Sequence, residues 1–126
     1  MAANKIVTFG PVALSATLTT NILSPSTLRG GTGMPSGTNT YIILRHIRIV
    51  NKTAGAVTCS FWKDATGGNT AGKEIIGTGL SIPANSYVDW YGMLRISASE
   101  TDKFLVGGAS AGASLTFQAE GEFGIE

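Results

Sequence analysis

The sequence predicts an all-β fold, a jelly-roll or Greek-key β-sandwich of about eight strands. Three observations predict it. The run Tyr41-Ile42-Ile43-Leu44-Arg45-His46-Ile47-Arg48-Ile49-Val50-Asn51 is rich in β-branched residues and free of Gly, Pro, Asp and Ser, which suits a pleated, half-buried surface better than a helix turn. Near the end of the chain Leu115, Phe117, Ala119, Gly121 and Phe123 alternate with Ser114, Thr116, Gln118, Glu120 and Glu122, the period of a strand with one dry and one wet side. Between these, short apolar segments are separated by Gly- and Pro-rich turns, and no window shows the three-and-four spacing of a capped amphipathic helix.

Taken in order, Met1 to Lys5 form a short arm, and Lys5-Ile6-Val7-Thr8-Phe9 is a strand ended by Gly10-Pro11, with Pro11 marking an edge position. Val12 to Leu23 is a second segment, in which Leu14 to Thr20 alternate apolar or small with polar residues, as one buried face requires. Ser24 to Thr40 is a glycine- and proline-rich loop of a length that usually carries function. Tyr41–Asn51 is the central strand: its start is apolar on both faces, its later part must reach solvent through Arg45, His46 and Arg48, and a bulge near Leu44–Arg45 reconciles the two. Asn51 to Gly55 reads as a hairpin into Val57–Trp62, with Val57, Cys59 and Phe61 facing the core and Trp62 partly exposed on the other side. Lys63 to Gly72 is a second glycine-rich loop, followed by strand candidates at Glu74–Gly77 and Leu80–Ile82. Tyr87-Val88-Asp89-Trp90-Tyr91 is an aromatic strand with Val88 and Trp90 opposite Tyr87, Asp89 and Tyr91; Met93–Ile96 and Phe104–Val106 flank a polar turn. Gly55–Phe61 and Ala111–Phe117 echo one another in register, which either marks equivalent strands of two Greek keys or reflects the abundance of small residues.

A chain of 126 residues is read as one domain, 1–126, able to bury roughly two-thirds of its unfolded surface. Nine basic against eight acidic residues, without runs, lack the electrostatic footprint of a nucleic-acid or anionic-membrane partner. Charged residues make up 13%, so the surface consists largely of small neutral groups that suit packing against neighbours. One cysteine permits no disulfide framework, no secretion signal or membrane-spanning run is evident, and a product made in the host cytoplasm is expected. Asn51-Lys52-Thr53 matches a glycosylation sequon but is read as a turn.

Chemistry is sparse. A single histidine and a single cysteine, His46 and Cys59, could meet only if neighbouring strands brought them together, and Cys59 between Val57 and Phe61 reads as a small buried hydrophobe. The carboxylates are scattered without the pairing glycoside cleavage needs, Asp64–Asn69 supplies too few anionic ligands for calcium, and Gly30-Gly31-Thr32-Gly33 lacks the Lys and helix of a phosphate loop. No enzyme, cofactor or metal is expected. Trp62, Tyr87, Trp90 and Tyr91 could form a sugar-stacking platform, although aromatics also fill cores and subunit interfaces.

The succession Thr19–Leu23, Tyr41–Thr53, Ile82-Pro83-Ala84-Asn85-Ser86 and Phe104–Ala111 resembles small virion proteins of tailed bacteriophages over roughly residues 17 to 123. The resemblance implies a β-sandwich capsid decoration (cement) protein, or a related tail or fibre piece, that binds the major capsid protein and further copies of itself as a dimer or trimer. It places the chain on the virion, with a host glycan as a further possible partner. The expected contact residues are Lys5 in the arm, Arg29 and Met34 in the long loop, and Tyr87, Trp90 and Tyr91 on the aromatic strand.

Overall fold

The structure, a computed structural model, describes residues 4–25 and 39–125. Eight strands form two four-stranded antiparallel sheets around one core. The first runs β1 (Lys5–Ala13), β8 (Leu115–Ile125), β3 (Thr40–Asn51), β6 (Ser86–Ser97); the second runs β2 (Asn21–Leu23), β7 (Phe104–Ala109), β4 (Val57–Asp64), β5 (Glu74–Ile82). Of consecutive strands, β4 and β5 alone are neighbours in a sheet; every other connection crosses the sandwich. This is the jelly-roll or Greek-key order the sequence predicts.

β3 is central, hydrogen-bonded on both sides, and its inner residues Ile42, Leu44, Ile47 and Ile49 are fully buried. The expected bulge is present. Leu44 pairs with Gly121 and His46 with Glu120, so Arg45 has no partner on β8; Leu44 therefore faces the core while His46, two residues on, faces out. The two halves of β3 differ less than expected: Tyr41 and Ile43 are only half-buried, and Asn51 at the far end is fully buried, because the opposite sheet covers the inner face along its whole length. The alternation of β8 is as predicted, with Leu115, Phe117, Ala119, Gly121 and Phe123 all buried. At Gly121 a Cβ would overlap the Ile43 carbonyl oxygen, so the close approach of β8 to the bulge requires glycine.

Four local expectations need correction. Asn51–Gly55 is not a hairpin: both sides of β3 are occupied by β8 and β6, so β4 joins the other sheet. Leu14–Thr20 is irregular and not a strand; it crosses between sheets, and its backbone groups are taken up one by one, Leu14 with Leu115 and Ala113, Ser15 with Ala109, and Thr20 with Gly107. β1 does not stop at Gly10–Pro11 but continues to Ala13 after a register shift between Phe9 and Val12, tolerated because β1 is an edge strand. Trp62 is buried, as is Val106, its partner in register on β7.

Phe117 sits at the centre of the core. Its ring meets Phe9 of the same sheet edge-on at 6.0 Å and Phe61 of the opposite sheet at 5.9 Å. The two echoing segments thus become β4 and β8, and their terminal phenylalanines touch across the sandwich.

Candidate functional site

The outward face of the first sheet gathers His46, Arg45, Arg48, Arg95, Asp89, Glu120 and Glu122. Register sets the rows: Ile6, Glu122, Ile43 and Arg95; then Thr8, Glu120, His46 and Tyr91; then Gln118, Arg48 and Asp89; then Ala13, Thr116, Val50 and Tyr87. The Arg45 bulge makes this possible, since it turns His46 and Arg48 outward while Ile47 and Ile49 stay in the core.

His46 is the hub. Its Nε2 lies 2.8 Å from Asp89 Oδ1 on β6 and its Nδ1 lies 3.2 Å from Glu120 Oε1 on β8, so one imidazole ties three strands together. Only the doubly protonated ring donates to both at once. Arg48 donates from Nε and Nη2 to the two oxygens of Asp89, at 2.7 and 3.0 Å, and its guanidinium lies over the Tyr87 ring at 4.8 Å. The bonds from Arg48, then from His46, hold the Asp89 carboxyl down at about 2. Arg45, standing out at the bulge, donates to Glu122 at 2.6 Å; Asn4 donates to the same carboxylate and accepts from the Tyr41 hydroxyl. Glu122 is accordingly lowered, by Arg45 first and Asn4 second. The charges are turned toward one another.

Apolar tips are turned to solvent. Ile6 is 86% exposed, Tyr91 71%, Met93 67% and Tyr87 56%, a concentration of large apolar side chains on one face that marks contact surfaces. Tyr91 stacks one ring face on His46 at 4.6 Å. Ile6, Arg45, His46, Tyr91, Glu120 and Glu122 line a shallow groove of about 450 Å³. The two carboxylates beside His46 contact opposite ring nitrogens and do not converge on a common point, so the cluster has the form of a cross-strand clamp.

Of the expected contact residues, Tyr87 and Tyr91 lie on this face. Trp90 points the other way, half-buried against the core, and Lys5 is the exposed first residue of β1, in register with Phe123. Arg29 and Met34 lie outside the described residues. The four-aromatic platform is not assembled, because Trp62 is buried in the other sheet and Trp90 belongs to the core side. His46 and Cys59 are in opposite sheets, and burial pushes the Cys59 thiol up to about 11. Ile6, Met93 and the hub role of His46 were missed by sequence reasoning. The bulge and the alternation of β8 place His46, Glu120 and Glu122 outward, but the register that joins them to β6 leaves no trace in any one segment.

No family model matches this sequence, and a search of curated proteins finds no match. Among solved structures, the chain is similar to the coat protein of tobacco streak virus, with a TM-score of 0.52 at 14% identity over 98% of this chain and 86% of that one. A structure of that virus's coat protein dimer gives a TM-score of 0.51 at 15% identity over 97% and 86%. At such identity the likeness is one of fold: this chain shares the β-sandwich architecture of a viral coat protein.

Proposed function

We propose that the chain is a structural virion protein of a tailed bacteriophage, most simply a capsid decoration (cement) protein that binds the major capsid protein and further copies of itself. In this reading it catalyses no reaction. The coat-protein fold and the resemblance of Tyr41–Thr53 and Phe104–Ala111 to small phage virion proteins both support it. The observation that carries it is the outward face of the first sheet, where charged side chains satisfy one another and Ile6, Tyr87, Tyr91 and Met93 are left in solvent. Such a face adheres with little desolvation cost, because its charges are already paired before contact. A protein that binds the assembled shell and not its separated subunits stabilises the shell by mass action.

The test is rebinding of the purified protein to phage heads that lack it. Wild type should saturate the heads and raise the temperature at which they open. Ile6→Lys, on a side chain too exposed to matter for folding, should bind at least about tenfold more weakly. Equal binding by Ile6→Lys, or no binding by wild type, sinks the reading. The groove beside Tyr91 favours one alternative, a glycan-binding role in a tail or fibre protein, with a sugar ring on the free face of Tyr91 and Arg45, Glu120 and Glu122 as hydrogen-bond partners. A glycan array in which Tyr91→Ala removes binding distinguishes the two.

A further inference from the structure

We infer that β6 pairs edge to edge with β6 of a second copy of this chain, about a two-fold axis at Gly92, joining the two first sheets into one. This deepens the reading that the chain works through copies of itself and rests on that part alone, so failure of capsid binding leaves it standing.

The four sheet edges differ in how they are defended. β2 is three residues long. β5 is broken by left-handed residues at Ile76, Gly77 and Gly79, and β1 by Pro11 and its register shift. These are the devices by which natural sheets prevent edge pairing. β6 is a twelve-residue edge without proline or left-handed residues, and it carries three of the five exposed large hydrophobic side chains among the described residues, Tyr87, Tyr91 and Met93. Its one irregularity is at Gly92–Met93, where two residues stand opposite Arg45 of β3.

An antiparallel pair centred on Gly92 puts that irregularity on the axis, so each regular half of β6 meets the partner's other half. Residues sharing a face then pair as follows. Outward, Tyr91 stands opposite Met93 of the partner subunit, and Asp89 opposite Arg95 of the partner subunit. Inward, Trp90 stands opposite Leu94 of the partner subunit. The pairing is self-complementary in charge, apolar at its centre, and leaves no like charges opposed. It also extends the core: Val88, Trp90 and Leu94 pack on the core of one chain yet stay only half-buried, β6 being the edge of its sheet among the described residues. Gly92 at the axis lies under the Trp90 ring of its own chain, which a Cβ there would overlap.

Sedimentation of the full chain should show a dimer. Met93→Lys should weaken it by about tenfold or more while leaving the circular dichroism spectrum unchanged, since Met93 is 67% exposed in the single chain. The register is read by cysteine pairing: a mixture of Tyr91→Cys and Met93→Cys chains, re-equilibrated and oxidised, should form a crosslinked dimer that neither variant forms alone. The buried Cys59 does not compete. A monomer at every concentration overturns the inference, as does a dimer indifferent to Met93→Lys or crosslinking by either variant alone as readily as by the mixture.

Discussion

Asn51 shows how much one side chain holds. It is fully buried at the end of β3, where its Nδ2 donates to the carbonyls of Gly55, Ile82 and Pro83 and its Oδ1 accepts from the backbone and hydroxyl of Thr53. The match to a glycosylation sequon is thus an internal clamp on the crossover between the sheets. Asn51→Ala leaves the buried Ile82 carbonyl without this donor, at about 1–3 kcal/mol for a group that water cannot reach, while the Gly55 carbonyl keeps the Thr53 hydroxyl. A loss of about 1–3 kcal/mol is expected in urea-induced unfolding, a substantial part of a small domain's stability. The sequence marked this residue only as a turn. A polar side chain reveals its burial through the groups around it, and here Ile82 and Pro83 come from 31 and 32 positions away.

At the scale of the element, β3 carries one inserted residue. With Arg45 taken up by the bulge, Ile42 and Leu44 share the core with Ile47 and Ile49 while His46 and Arg48 reach the outward face. Deleting Arg45 leaves a strictly alternating strand in which Ile42, Leu44, Ile47 and Ile49 still face the core and His46 and Arg48 still face out, paired with β8 without a bulge. The cost falls instead on the β3–β6 pairing, where Gly92 and Met93 lose the residue they stand opposite, and on the exposed Arg45–Glu122 pair. The deletion variant should therefore keep a cooperative thermal transition at a lowered melting temperature, and loss of that transition would show that the bulge does more than set the phase of β3. The bulge was legible because the apolar pattern of Tyr41–Asn51 changes phase at that point. The failed hairpin after it was not: Asn51–Gly55 has turn residues whether the next strand pairs beside β3 or crosses to the other sheet.

At the scale of the whole molecule, charge ties strands within each sheet. Asp89 joins β6 to β3 in the first sheet through Arg48 and His46. In the second, Asp64 is buried at the end of β4; it accepts from the Thr70 and Ala65 amides and from Lys73, which also reaches Asp102. Both carboxyls titrate below the ordinary 3.8: Asp89 at about 2, chiefly through Arg48, and Asp64 lower still, chiefly through Thr70. The folded state therefore binds fewer protons than the unfolded chain in this range. The stability these groups contribute is fully present above about pH 4 and is lost as pH falls, for Asp89 as pH passes through about 2. Melting temperature should drop steadily from pH 4 to 2, and Asp89→Asn should lower it at pH 7 while making that acid dependence shallower. A variant with an unchanged acid slope would remove Asp89 from this account.

Strand identity, the all-β class, the bulge and the dry face of β8 were already present in the order of residues, because period-two burial and β-branching act over a few neighbours. Which strands lie side by side was not. Register between β8, β3 and β6, the opposite placement of His46 and Cys59, the burial of Trp62 and the outward apolar tips all depend on pairings between segments tens of residues apart. Local pattern states which face of a strand is dry; only the closed sandwich states what stands next to the wet one.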